Sequence, residues 1–317
     1  MTAIANELFA TDAPHGASLA LLVMHGGDVV LERYGLQPDS VFGPGGAVTA
    51  ETTLVSWSMA KSITHAAVGI LVGDGLLELD RPAAVAAWRG TPKESITLQD
   101  LLDMRAGLEW VEDYVDDSVS HCIEMLFGAG QDDMAAYAAG LPMVHQPGSV
   151  WNYSSGTTNI ICRIIGDVVG GGREGMETFL RDRLFGPVGM HGAMPKFDTS
   201  GTFVGSSYVY ATTRDFARFG ELYRNDGVVG DRRVLPRGWR DHARRSVASD
   251  EDGLDYGSHW WLWRDQPGSL ACHGYEGQYC IVVPDKELVV VHLGKCPADS
   301  RPELTNRLRA ILNAGET

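Results

Sequence analysis

Ser56-Trp57-Ser58-Met59-Ala60-Lys61-Ser62-Ile63-Thr64, running on into His65–Leu77 (HAAVGILVGDGLL), is the most informative stretch of the chain. Alanine, methionine and lysine favour helix, and the later Ile/Leu/Val spacing predicts a helix beginning near Ser58. Residues three apart on a helix share a face, so the Lys61 amine can reach back to the Ser58 hydroxyl. A serine hydroxyl is a weak nucleophile and needs a base beside it. A lysine serves as that base only where burial disfavours its charged form, and Trp57, Met59, Ala60 and Ile63 supply apolar flanks. The backbone N–H of Ser58, at a helix start, has no intrahelical partner and can point at an oxyanion.

Outward from this stretch, the two ends of the chain carry strand patterns. Ser18–His25 and Asp28–Tyr34 flank Gly26-Gly27, a pair that supplies the positive φ a tight hairpin needs. Gln278–Val283 and Glu287–Leu293 flank Pro284-Asp285-Lys286 and predict a second hairpin. In Pro302–Asn313, residues Leu304, Leu308, Ile311 and Leu312 fall on one helical face. The middle of the chain is helical in pattern, as in Thr97–Met104 and Asn159–Val169, with Gly/Pro punctuation between segments. These patterns predict an α/β fold of the α+β type: an antiparallel sheet built from N- and C-terminal strands and flanked by helices, with an inserted, mostly helical lobe. The sheet domain is assigned to residues 1–75 and 198–317, and the lobe to 76–197.

The bulk numbers are globular: 317 residues, 44% hydrophobic and 21% charged. A net charge of −15 repels phosphate backbones and anionic lipid, which argues against nucleic acid and membrane as partners. No stretch approaches the roughly 20 apolar residues that span a bilayer, and the first residues do not read as a secretory signal. A cytoplasmic location is expected. The five cysteines show no zinc spacing and read as buried thiols; neither metal nor organic cofactor is expected.

S-x-x-K alone is a short pattern that chance supplies often. Two further signals follow it: Pro147-Gly148-Ser149-Val150-Trp151-Asn152-Tyr153-Ser154-Ser155, a turn delivering Tyr-Ser-Ser onto the next helix, and Cys272-His273-Gly274-Tyr275-Glu276-Gly277, which leads into the last hairpin. In order and spacing the three together resemble the β-lactamase-related serine hydrolases. That superfamily includes class C β-lactamases, D-alanyl-D-alanine peptidases, family VIII carboxylesterases and 6-aminohexanoate-dimer hydrolases. The resemblance covers nearly the whole chain; Ile96–Gly107 is similar to the family's helical segment after the nucleophile, and Tyr210–Gly220 to its "ST-x-x-D-x-A-R-F" helix start.

The resemblance implies that Ser58 attacks the carbonyl, that Lys61 shuttles its proton, and that Tyr153 assists and protonates the leaving group. On its own, Tyr153 would read as a packed aromatic. Ser155 matches the third position of the family's Y-x-N, with serine in place of asparagine, and is expected to face the substrate. Gly274 matches the glycine of K-T-G, which places Cys272 at the lysine and His273 at the threonine. Tyr275 would then offer its backbone N–H as the second oxyanion donor opposite Ser58. A register with His273 at the lysine is the alternative, and it turns the required glycine into Tyr275. Either way the motif lacks its permanent cation, which moves the expected substrate toward small neutral esters, with short linear amides next. A β-lactamase or D-amino-acid peptidase comes third, and a non-catalytic binding protein on the same scaffold is the rival of a different class. A homodimer is left open.

Three features carry duller readings. His25-Gly26-Gly27 looks like a lipase oxyanion loop, but the chain has no G-x-S-x-G, so a hairpin turn is expected. Tyr256–Trp263 (YGSHWWLW) predicts one strand, with Trp260, Trp261 and Trp263 in the core or, for one or two of them, walling the acyl pocket. Glu109–Asp117 is expected to be a solvated acidic loop at the pocket rim, favouring a substrate amine. The scattered histidines His65, His121, His145, His191, His242, His259 and His292 receive no role.

Overall fold

The computed structural model of the chain describes residues 1–39, 44–113, 119–250 and 253–314. Near the N-terminus, helix α1 (Thr2–Leu8) precedes strands β1 (Ala17–His25) and β2 (Asp28–Tyr34). Gly26 and Gly27 turn this hairpin with φ of 61° and 95°, a region in which a side chain would be strained. The last third of the chain adds six strands, β3 (Ala248–Ser249), β4 (Leu254–Tyr256), β5 (Trp261–Trp263), β6 (Leu270–Gly274), β7 (Gln278–Val283) and β8 (Leu288–Lys295). All pair antiparallel, in the order β3-β4-β5-β6-β7-β8-β1-β2. Strands from the two ends of the chain therefore lie side by side, with Leu22 opposite Val291.

Period-two alternation gives this sheet two buried faces. Leu21, Val23, Tyr279, Ile281, Leu288 and Val290 pack with α1 and with α5 (Arg301–Ala314), whose Leu304, Leu308, Ile311 and Leu312 form its inner stripe. The intervening residues Leu22, Cys272, Cys280, Val282, Val289 and Val291 belong to a larger core. That core includes the helices α2 (Ala60–Gly73), α3 (Ser155–Val169) and α4 (Thr213–Arg224). Burying one such aliphatic side chain stabilises by roughly 1.5–3 kcal/mol. A one-residue slip would exchange the two faces, so register is strongly specified. The five cysteines are buried and free.

Helix starts follow local side-chain chemistry. Thr212 and Asp215 form a reciprocal capping box at the head of α4, within the Tyr210–Gly220 segment. Thr97 and Asp100 do the same for Leu98–Leu102, a shorter helix than the Thr97–Met104 pattern implied.

The Tyr256–Trp263 stretch departs from expectation. It is two strands, β4 and β5, joined by a turn. His259 sits in that turn with φ of 59° and is drawn inward. Its Nδ1–H donates to the Leu102 carbonyl (2.8 Å), and its Nε2 accepts from the Thr158 hydroxyl (2.9 Å). Those anchors override the strand preference of the aromatic run.

Burial holds His259 down to about 3, and His242 and His292 down to about 4. These imidazoles are neutral in the folded chain and titrate near 6.5 when unfolded, so the unfolded state binds more protons as pH falls below that value. Their stabilising contribution is complete above about pH 6.5 and is lost as the pH drops toward the folded values. The unfolding midpoint is expected to fall by roughly 5–10 °C between about pH 7 and about pH 5. His259→Asn, which tolerates the positive φ, is expected to flatten that slope; an unchanged slope in calorimetry would refute the assignment. Among the described residues no helix is long and apolar enough to cross a membrane.

Candidate active site

Two anchors hold the chain just before Ser58. Leu54–Val55 pairs with Val209–Ala211, and Ser56 continues the link, its N–H donating to Val209 O (2.9 Å) and its hydroxyl accepting from Val209 N–H (3.0 Å). Trp57 then turns with φ of 44°, a left-handed value costly for a bulky residue. Ser58 follows in a 3-10 turn, Trp57–Met59, and α2 begins only at Ala60. Side chains three apart eclipse in such a turn, so the Ser58–Lys61 pairing survives the later helix start.

The Lys61 side chain is 2% exposed. Its Nζ lies 3.0 Å from Ser58 Oγ, 2.8 Å from Ser155 Oγ and 3.1 Å from the Ser206 carbonyl oxygen. Ser154 caps α3 by accepting from Thr157 N–H, which leaves Tyr153 one residue ahead of the cap. The Tyr153 ring centroid is 4.8 Å from Lys61 Nζ, and the ring packs on Tyr256 and Trp261. Burial pushes the Tyr153 phenol up, against the opposing pull of Lys61 and a hydrogen bond from Ser58.

Ser155 was expected to face substrate, and its placement is different. It is 1% exposed, and its hydroxyl is held between two neighbours, accepting from Lys61 and donating to Glu112 Oε1 at 2.5 Å. Glu112 also accepts from the Ser155 backbone N–H (2.8 Å) and from Trp110 Nε1 (2.6 Å). Glu112 is half-buried: it holds the Ser155 side of the site and also lines the larger cavity, while Tyr114–Asp117 of the same acidic segment lie outside the described residues.

In β6 the alternation puts Cys272 in the core and His273 on the opposite face. His273 Nε2 accepts from Trp263 Nε1 (2.8 Å), its ring stacks on Trp261, and burial holds it well below the usual histidine range, hence neutral. Gly274 shares the inward face with Cys272. A Cβ there would stand 2.4 Å from the Ser56 carbonyl oxygen, so only glycine lets β6 lie this close to the turn that carries Ser58. Beyond it, Glu276 is left-handed (φ 61°), and its carboxylate accepts from Trp57 Nε1 (3.3 Å) and pairs with Lys295. The Gln278 amide donates to the carbonyls of Tyr275 (3.0 Å) and Gly294 (2.8 Å), fixing the same turn.

Ser58 opens onto two cavities. The larger, about 830 Å³, is lined by Ser58, Tyr153, Trp261, Trp263, His273, Gly274 and Tyr275, and farther out by residues of the α5 region. Trp260, by contrast, is in the core, stacked on Phe219. The smaller, about 130 Å³, is lined by Trp57, Ser58, Cys122, Ile123, Leu126, Phe127, Ser207 and Tyr275. Arg301, Arg309, Asp250 and Asp299 also line the larger cavity. Cations thus line this cavity from another element, which reading the third motif alone could not show. Arg309 is itself engaged, donating to Asp265 (2.7 Å) and lying over the Trp263 ring. Among the described residues, no group of three or more His, Cys, Asp or Glu side chains is placed to hold a metal ion.

A hydroxyl one hydrogen bond from a buried amine, with a neutral phenol beside it and an aromatic cleft in front, suits acyl transfer. The family model described as Beta-lactamase matches residues 9–314. The chain belongs to the Beta-lactamase family. It is similar to the 6-aminohexanoate-dimer hydrolase of Paenarthrobacter ureafaciens, with 25% identity over 88% of this chain and 72% of that one. It is also similar to penicillin-binding protein 4 of Amycolatopsis lactamdurans, at 27% identity over 79% of this chain and 74% of that one. Among solved structures, a family VIII carboxylesterase matches with a TM-score of 0.70 at 13% identity, covering 96% of each chain. Membership of this hydrolase family supports a serine hydrolase, and the large antiparallel sheet flanked by helices is the Beta-lactamase family's fold.

Proposed function

We propose that the protein is a serine hydrolase that forms an acyl-enzyme at Ser58, acting on small carboxylic esters and more slowly on short linear amides. One observation carries the reading: the Lys61 amine, 2% exposed, stands 3.0 Å from the Ser58 hydroxyl oxygen. That distance is within reach of general-base transfer. Lys61 takes the hydroxyl proton as Ser58 Oγ bonds to the substrate carbonyl carbon. The backbone N–H groups of Ser58 and Tyr275 receive the oxyanion. The C–O bond of the ester then breaks. Tyr153, kept protonated by burial, gives its proton to the departing oxygen and recovers one from Lys61. Water attacks the acyl-enzyme by the reverse route. Ser155, bonded to Lys61 and to Glu112 on the wall of the larger cavity, positions the amine.

A fluorophosphonate probe is expected to add one label at Ser58, found by peptide mass spectrometry. An unlabelled Ser58 peptide would favour the non-catalytic binding protein. Turnover of p-nitrophenyl butyrate, nitrocefin and a 6-aminohexanoate dimer ranks the substrates; fastest hydrolysis of nitrocefin would replace the ester reading with a β-lactamase.

The link from Glu276 to Trp57 supports the same geometry, because it joins the turn after Tyr275 to the residue before Ser58. Glu276→Ala is expected to lower kcat about 10-fold with little change in KM, as for an interaction felt mainly in the transition state. Steady-state kinetics with an unchanged kcat would dismiss that role.

A further inference from the structure

We propose that the two cavities divide an ester between them. The small apolar one takes a neutral acyl chain of about four to six carbons, and the large aromatic one takes the alcohol part. This rests on the catalytic reading of Ser58, Lys61 and Tyr153. Ser58 and Tyr275 are the residues common to both linings, so an attacked carbonyl lies where the two cavities meet. Tyr153 lines the larger cavity and is not part of the smaller. The departing oxygen must be within reach of the phenol that protonates it, so the alcohol leaves through the large cavity. The other substituent of the carbonyl carbon then points the opposite way, under the helix His121–Phe127.

Size and chemistry set what fits there. A dry cavity of about 150 Å³ lined by aliphatic and aromatic groups accepts benzene, and this one is about 130 Å³. Beside Ser58, Ser207 and Tyr275, its walls are the apolar Trp57, Ile123, Leu126 and Phe127, with Cys122 contributing a thiol that burial keeps neutral. No charged side chain is among its described lining residues. An ammonium or carboxylate at the end of the acyl chain would be left without a partner there. The acyl side therefore selects against 6-aminohexanoyl groups and for unbranched neutral acids. Leu126, 8% exposed on the inner wall, is the specificity-determining residue, and Ile123 stands at the mouth, 39% exposed.

The test is a series of p-nitrophenyl esters, acetate, butyrate, hexanoate and decanoate, with the 6-aminohexanoate ester alongside. The expected kcat/KM peaks at butyrate or hexanoate and drops about tenfold or more at decanoate and at the aminohexanoate ester. Leu126→Phe should lower the hexanoate-to-acetate ratio about tenfold. Should that variant not fold, Ile123→Trp at the mouth is expected to lower the same ratio. Decanoate or aminohexanoate turned over as well as hexanoate, or a ratio unmoved by both variants, overturns the division of the ester. Labelling of Ser58 by a fluorophosphonate separates the two failures: a labelled enzyme with a flat profile defeats this proposal alone, whereas no label and no turnover defeats the catalytic reading beneath it.

Discussion

Lys61→Met is expected to reduce kcat/KM for a short ester by roughly 10⁴-fold while the chain still folds. The substitution keeps the length and most of the volume of a side chain that is 2% exposed, so packing around α2 is largely retained. What disappears is the amine that bonds Ser58, Ser155 and the Ser206 carbonyl. The carbonyl is left buried without that donor, a cost of about 1–3 kcal/mol, which should show as a lower unfolding midpoint. Ser58 loses its base altogether. A measured loss of only a few-fold, in a variant shown by calorimetry to be folded, would mean that the hydroxyl is activated by something other than this amine.

Gly274→Ala is expected to cost kcat roughly 10²–10³-fold, the size of effect seen when an oxyanion donor is displaced. The backbone at Gly274 has φ −132° and ψ 158°, which any residue adopts, so conformational strain is not the cause. The cause is contact. An added methyl would meet the Ser56 carbonyl oxygen at 2.4 Å and the Gln278 Cβ at 2.8 Å. Because one obstacle is main chain, no rotamer change relieves it, and β6 must move away from the turn that carries Ser58. Fluorophosphonate labelling should slow in parallel with turnover. Retention of wild-type kcat would show that the approach of these two segments is not needed for chemistry.

Much of the sheet was legible because its signals are local. Gly26-Gly27 announced a hairpin, and runs of apolar residues marked β1, β7 and β8 within a residue or two. The Ser58–Lys61 contact was legible for the same reason, since three-residue spacing survives the exchange of an α-turn for a 3-10 turn. Contacts across long separations were not. Glu112 sat in an acidic run that resembles a solvated loop, and nothing local says that its carboxylate would meet Ser155, forty-odd positions later. Ser155 looked like a substrate contact from its place in the motif, yet its buried hydroxyl is taken up between Lys61 and Glu112. The split of Tyr256–Trp263 depended on His259 finding Leu102 and Thr158, partners that only the assembled core supplies. The guanidinium groups of Arg301 and Arg309 reach the cleft from a helix read only for its apolar stripe.

The seating of β1 between β2 and β8 has a consequence for how the molecule is made. On the ribosome, the hydroxyl, the amine and the phenol all emerge before β6, β7 and β8 exist. Until those strands arrive, β1 has one vacant edge, and the Ser56 carbonyl has no Gly274 lying against it. Translation at roughly 5–20 residues per second leaves this half-built state exposed for several seconds. On the proposed mechanism, a nascent chain released before β6 would hold every group that moves a proton and lack the segment that carries the Tyr275 N–H, so hydrolytic competence should switch on late and all at once.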